Sequence, residues 1–375
     1  MHGHNINHSE ILIDLVAMSN KHGSNPELVL AGGGNTSAKD DKTLYVKASG
    51  TSLASITKDG FVAMDRQKLN EVLKKDYPSN DKEREALFLE DVMGAKHNID
   101  DPKRPSVEAL LHNLFSQRFV LHLHPALVNG LTCGKDGESM TKRLFSDQAV
   151  WVEECRPGYT LAKLCSDKMN DYMDRTGKPV SVMLLQNHGV FFAHDTVEQV
   201  DELLNDVVSK LKEEVVREPK MSQTVVDEQS VTSISEILSA NGKYVVKHSA
   251  STEAFAFSAD RESASPMINP FTPDHIVYCK SHPVFIDNIE NIPSTIETFY
   301  KEYGYKPKIA IVKGMGFFAF GEGEKEAETA KALFEDALKV AVYSESFGGP
   351  RHMAHDMVHF IENWEAESYR QAQNK

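Results

Sequence analysis

Twice along this chain a short apolar run, a tight turn, a second apolar run and a long amphipathic stretch follow one another. Val182–Lys212 shows the series around Asn187-His188-Gly189, and Ile309–Val342 shows it around Gly314-Met315-Gly316. Short apolar runs bounded by turn residues read as buried strands, and a long run of 3.6-residue apolar period reads as a helix. Such a chain has to lay helices against a sheet of short strands, an α/β arrangement. Setting the two turns side by side puts Met315 opposite His188, though the segments share few identical residues. A degenerate internal duplication is one expectation. Independent use of a common strand–turn–strand–helix unit is the other, and strand order and direction decide between them.

The rest of the chain fits the same class. Residues 9–22 read as an amphipathic helix, with Ser9 as N-cap and Leu12, Leu15, Val16 and Met18 on its apolar face. Leu28–Ala31 reads as a strand running into the tight turn Gly32-Gly33-Gly34-Asn35-Thr36-Ser37, and Leu44–Ala48 as a strand ending in Ser49-Gly50-Thr51. The charged stretch 65–98 reads as helical. Pro105 is placed to open a helix through Phe115, Phe119–His124 reads as a strand, and Leu161–Met173 and Thr196–Val216 read as helices. The pattern breaks at residues 217–227, around Pro219, which divides the chain into domains 1–220 and 221–375. Beyond the break, strands are expected at 243–247, 275–279 and 308–313, and helices at 293–303, 324–343 and near 355–370.

At 375 residues the chain has room for one large domain or two. With 41 basic against 55 acidic residues its net charge is −14, which argues against general binding to a nucleic-acid backbone. It does not argue against a small anionic substrate, since one local site on an acidic protein can be positive. No apolar run approaches the roughly 18 residues that span a bilayer, and MHGHNINHSE lacks a cationic segment followed by an apolar one. Four cysteines without paired spacing fit the reducing cytoplasm.

His122-Leu123-His124 is the strongest chemical signal. Residues two apart on a strand project from one face, about 7 Å apart at the backbone, a spacing that suits two ligands of one metal. Two packed histidines would look the same, so the reading needs support. His188 supplies it from a tight turn, where a side chain is presented at a sheet edge. Three histidines leave an open position for water or substrate and favour Zn2+ among divalent ions. Glu108, just upstream, is a carboxylate that can act as acid or base beside such an ion. His112, one helical turn on, either orients that carboxylate or simply packs. The turns at 34–37, 49–51 and 105–106 carry backbone N–H groups and short polar side chains, the elements of a phosphate cradle without a P-loop lysine.

The succession GGGNTS, KASGTSL, RPSVEALLH, VLHLHPALVNGL and LLQNHGVFF resembles the class II aldolase/adducin family, in the same order. The likeness is strongest to the long-form members, whose aldolase half is similar to rhamnulose-1-phosphate aldolase and is joined to a short-chain dehydrogenase. FTPDHIVYCKSHPVFI, IVKGMGFFAFG and FIENWEAESYR resemble the later part of that half. The resemblance implies a three-layer α/β/α sandwich around a mostly antiparallel central sheet, with a second, smaller α/β lobe. It implies metal ligation by His122, His124 and His188, an acid/base role for Glu108, and phosphate binding by Asn35, Ser37, Ser49, Gly50, Thr51 and Ser106.

The implied reaction is cleavage of a ketose 1-phosphate, of rhamnulose- or fuculose-phosphate type, to dihydroxyacetone phosphate and an aldehyde through a metal-stabilised enediolate. Glu at position 108, where related sugar-phosphate epimerases carry Asp nearby, favours carbon–carbon cleavage. The resemblance further implies a homo-oligomer, commonly a tetramer, with a tyrosine or similar group lent by a neighbouring subunit; Tyr278, Tyr343 and Tyr369 are the candidates. Gly314-Met315-Gly316 lacks the third glycine of G-x-G-x-x-G, so no dinucleotide fold and no dehydrogenase half are expected here. Rival readings are an epimerase, decarboxylase or dehydratase on the same metal, or a non-catalytic adducin-like binding module.

Overall fold

The computed structural model describes residues 8–240 and 242–364. They divide into two units, one of residues 8–128, 138–213 and 364, the other of residues 129–137 and 214–363. The first unit is built on β1 (Asn35–Lys39), β2 (Thr43–Lys47), β3 (Phe61–Asp65), β4 (Phe119–Leu123), β5 (Val150–Val152), β6 (Val182–Leu185) and β7 (Gly189–His194). These make one sheet of order β3-β2-β1-β4-β7-β6-β5, in which β5–β6 is the single parallel pair. Helices α1 (His8–Gly23), α2 (Arg66–Lys74), α3 (Asp81–Gly94), α4 (Ala109–Leu114), α5 (Ala126–Thr132), α6 (Gly137–Phe145), α7 (Tyr159–Thr176) and α8 (Val197–Glu214) follow along the chain.

Side-chain alternation along β1 shows that the sheet is covered on both faces. Asn35 and Ser37 reach His112 on α4, whereas Thr36 between them meets the hydroxyl of Ser19 on α1 at 2.7 Å. On the α4 face, Leu69, Phe88, Leu110 and Leu161 from α2, α3, α4 and α7 close over Val46, Met64, Val120 and Phe191 of the sheet. On the other face α8 joins α1 through Asp201, which takes both His22 and Lys21 at 2.7 Å. The unit is therefore the expected three-layer α/β/α sandwich around a mostly antiparallel sheet.

The second unit has four strands, β8 (Val245–Ser249), β9 (Val284–Ile286), β10 (Ile309–Val312) and β11 (Gly316–Gly321), in the order β8-β11-β10-β9. Its helices are α9 (Glu228–Leu238), α10 (Thr252–Phe257), α11 (Arg261–Ala264), α12 (Pro273–Cys279), α13 (Ile292–Tyr303), α14 (Glu324–Ser344) and α15 (His355–Glu362). Ile234 and Leu238 of α9 and Ile292 and Phe299 of α13 pack on Val284, Ala310 and Phe318 of the sheet.

Several segments differ from the sequence reading. Leu28–Ala31 is a pair of turns, with Leu28 and Val29 both donating to the Asn25 carbonyl and Ala31 at φ 50°. The strand lies one step later, at Asn35–Lys39, hidden from an apolar pattern because its residues are polar. The 65–98 stretch is helical as α2 and α3, but the strand β3 runs up to it. Pro105 sits in a bridge to Ala48 and α4 starts only after Glu108. Residues 275–279 are helical, because Pro273 sets the first turn of α12 and the apolar run is buried all round. The last helix ends at Glu362, with Asn363 as its C-cap, short of the expected 370; residues 365–370 lie outside the described residues.

Lys39 ties β1 to the end of α4. It is 2% exposed, and its ammonium donates to the carbonyls of Phe115 and Gln117, each at 3.0 Å. Phe115 is the C-cap of α4, so the lysine satisfies carbonyls that the helix end leaves open. Burial, with Arg66 near, pushes its pKa well below the ordinary lysine value. Lys39→Met should cost about 1–3 kcal/mol, since two buried acceptors lose their donor. Urea denaturation measures this; an unchanged midpoint would show that the anchor is dispensable.

Candidate functional site

The site forms where β4, the β6–β7 turn and the start of α4 meet. His122 is near the end of β4, paired with Phe191 of β7, and it is fully buried. Its ring lies over that of Phe191, 4.0 Å between centroids and 18° between planes. Its Nδ1 is 3.0 Å from the Val190 carbonyl. A carbonyl can only accept, so Nδ1 carries the proton and Nε2 presents its lone pair. A carbonyl bonded to one ring nitrogen in this way fixes the ring's orientation and leaves the other nitrogen free to donate its lone pair. His124, just past the strand, brings its Nε2 within 2.9 Å of the His122 Nε2.

His188 arrives on the β6–β7 hairpin. Leu185 pairs with Gly189, leaving a three-residue loop in which Asn187 takes the left-handed conformation at φ 54°. Asparagine tolerates that conformation better than most residues. His188 then donates its N–H to the Leu185 carbonyl and projects over His122 and His124, with ring centroids 5.1 Å from each. Gly189 has to be glycine: a Cβ there would lie 2.5 Å from both the Leu123 carbonyl and the His124 ring. The ligand atoms of His122, His124 and His188 all fall within 4.8 Å of one another, the one such group among the described residues.

Glu108 closes the constellation. It occupies the N-cap position of α4, without bonding the helix, and is 6% exposed. Its Oε2 accepts from Asn35 Nδ2 at 2.7 Å and lies 3.3 Å from His122 Nε2. Its Oε1 lies 3.4 Å from His188 Nε2 without the alignment of a hydrogen bond, and this buried oxygen has no hydrogen-bond partner. An orphaned carboxylate oxygen facing convergent imidazole nitrogens suits a divalent cation: the donor set is three nitrogens with an oxygen beside them.

The candidate phosphate residues divide into two sets. Ser106 accepts the Glu108 N–H on its Oγ at 3.2 Å, and Ser106 N–H donates to Lys47 at 2.9 Å. The Ala48–Pro105 bridge and the Ser49 N–H to Arg104 carbonyl bond hold the turn of Ser49, Gly50 and Thr51 beside Ser106. Asn35 stands next to this group through Glu108. Ser37, however, is fully buried, with its hydroxyl 2.7 Å from His112 Nδ1. It faces the interior beneath the site rather than the turn at 49–51.

His112 does more than pack. Its Nε2 holds the Asn35 amide oxygen while Ser37 holds its Nδ1. Since Asn35 in turn donates to Glu108, the imidazole fixes which way the amide points. The i, i+4 spacing of Glu108 and His112 hinted at a direct contact; the linkage runs through a residue far away in sequence. Tyr278 is buried in α12 and Tyr343 donates to Glu218 at 2.9 Å, both inside the second unit, while Tyr369 lies outside the described residues. Among the described residues no helix is long and apolar enough to cross a membrane.

Residues 14–209 match the family described as class II aldolase and adducin N-terminal domain. A curated relative, the uncharacterized oxidoreductase YuxG of Bacillus subtilis, is 23% identical over 409 residues, spanning 95% of this chain and 58% of its own length. The chain thus spans less than two thirds of that relative. Among solved structures, the N-terminal class II aldolase domain of a conserved protein from Thermoplasma acidophilum is 25% identical, covering 57% of this chain and 96% of that domain at a TM-score of 0.46. The L-fuculose-1-phosphate aldolase of Thermus thermophilus is 12% identical, covering 55% of this chain and 93% of its own at a TM-score of 0.36.

Burial, with His122 and Lys39 near, depresses the His112 pKa well below 6.5. The unfolded chain then binds a proton that the folded chain refuses, so stability is complete above about pH 6.5 and declines as the pH falls. Replacing His112 by Gln should flatten this acid-side decline in the denaturation midpoint. A variant as pH-sensitive as the wild type would mean that His112 titrates freely in the fold.

Proposed function

The chain belongs to the class II aldolase and adducin family, and from that premise we propose that its first unit is a divalent-metal aldolase, with Zn2+ as the metal, acting on a ketose 1-phosphate. The observation that supports the reading is the orphaned Glu108 oxygen facing the nitrogens of His122, His124 and His188. Those three histidines would hold the ion, which when bound supplies Lewis acidity to offset negative charge developing on the substrate.

Asn35 occupies Glu108 Oε2, which leaves Oε1 as the atom that moves the proton. As the C3–C4 bond breaks, C4 becomes the aldehyde carbonyl and its hydroxyl proton passes to the Glu108 carboxylate. The electron pair stays on the C3 side, and Glu108 Oε1 delivers a proton to C3. In condensation it removes that proton. The products are dihydroxyacetone phosphate and an aldehyde, lactaldehyde from a 6-deoxyketose. Ser49, Gly50, Thr51, Ser106 and Asn35 take the phosphate with amides and hydroxyls, which do not change the net charge. Ser37 serves by holding His112. The resemblance supports a homo-oligomer, a tetramer, as the working assembly, and cysteines without paired spacing support a cytoplasmic location.

The test is a zinc-loaded assay on a panel of ketose 1-phosphates, detecting dihydroxyacetone phosphate. His122→Ala should lose both bound metal and activity. Glu108→Gln should keep the metal and lose about 10²–10⁴-fold in turnover, the usual worth of a general acid–base. Near wild-type turnover in Glu108→Gln would remove the assigned role. Turnover without triose phosphate or aldehyde would turn the reading to an epimerase, decarboxylase or dehydratase, and absence of stoichiometric metal to a binding module.

A further inference from the structure

The second unit repeats the topology of the metal-site half of the first. In the first, β4-β7-β6-β5 are neighbours with pairings antiparallel, antiparallel and parallel. In the second, β8-β11-β10-β9 are neighbours with the same three pairings in the same order. Helices occupy the same places along the chain: α4 and α9 before the first strand, α7 and α13 between the parallel pair, α8 and α14 after the hairpin.

The likeness extends to individual residues. Leu185 pairs with Gly189, and Val312 with Gly316, so each hairpin closes over three residues. The middle residue is left-handed in both, Asn187 at φ 54° and Gly314 at φ 67°. The third donates its N–H back to the last strand carbonyl, His188 at 3.2 Å and Met315 at 2.9 Å. A Cβ on Gly189 would strike the Leu123 carbonyl, and one on Gly316 the Ser249 carbonyl. Taking Gly189 with Gly316, the ladder registers put Phe191 with Phe318 and the residues opposite them, His122 with His248. Both imidazoles lie over their phenylalanine, His122 at 4.0 Å and His248 at 4.5 Å. A slip of one residue would turn every side chain to the other face, so this match of register is strongly constrained.

In that frame His124 corresponds to Ala250 and His188 to Met315. The surviving imidazole is engaged elsewhere: His248 Nε2 donates to the Met315 carbonyl at 2.7 Å, pinning the turn that carries the third ligand in the first unit. Glu108 is the N-cap residue of α4, and its counterpart at α9 is Asp227, an exposed residue that caps its own helix through Ser230 N–H at 3.0 Å.

We propose that the second unit is a duplicate of the metal-binding half of the first whose ion site was lost when two of three ligands became Ala250 and Met315. The chain then holds one metal, in the first unit, and His248 is a structural remnant of the second. The count of one rests on the reading of His122, His124 and His188 as ligands; the duplication does not.

The test is elemental analysis of zinc per folded chain after reconstitution and desalting, with melting curves for each variant. Wild type should hold one ion and His122→Ala/His124→Ala none. Ala250→His/Met315→His should hold two, and all four changes together one. If Ala250→His/Met315→His melts as wild type and gains no ion, the frames are not equivalent and the duplication falls. A wild type without metal overturns the ligand reading alone. Should the rebuilt variant not fold, a crystal structure of the wild type decides: superposing 182–194 on 309–321 must bring His122 over His248. A register offset or a reversed strand overturns the proposal.

Discussion

The site depends on a polar strand buried in the middle of a sheet. β1 presents Asn35, Thr36, Ser37 and Lys39 to the interior, and each has to find a partner there because an unpaired buried polar group is costly. Asn35 and Ser37 take His112, Asn35 also takes Glu108, Thr36 takes Ser19, and Lys39 takes the carbonyls beyond α4. These bonds dock α1 on one face and α4 on the other. They hold α4 at both ends, so that its N-terminal residue points a carboxylate at the histidines. The sandwich and the site's geometry thus share one set of hydrogen bonds, in which each of these four β1 side chains finds a partner.

The second constraint is steric. β4 and the β6–β7 hairpin approach so closely at Gly189 that no side chain fits, and this approach brings His188 from the turn onto the pair from the strand. The same approach occurs at Gly316, beside Ala250 and Met315 rather than two histidines. Backbone frame and side-chain chemistry are therefore separable here: the frame is set by strand pairing and a left-handed turn residue, the chemistry by which side chains stand at three positions on it.

Much of the site was legible in the sequence. The period of two in a strand puts His122 and His124 on one side, and the tight turn gives His188 a place at the sheet edge. Less of the local structure was legible. Apolar pattern marks Leu28–Ala31 as a strand, yet Pro26 and the turn bonds to Asn25 keep it irregular, and the real strand is the polar one after it. Residues 275–279 are apolar on all sides, a pattern that a buried helix and a buried strand share. Ser37 lies in a motif of phosphate-binding type, but alternation turns it under the sheet to His112.

By itself the sequence determined the α/β class, the metal-type histidines and the carboxylate near them, because these rest on short-range spacing. It also carried the doubled strand–turn–strand–helix pattern, though not its meaning. Only the tertiary structure decided that Glu108 faces His122 and His188, that His112 acts on it through Asn35, and that His248 stands where His122 does. Each joins elements distant along the chain, and strand pairing and register, which no local pattern encodes, bring them together.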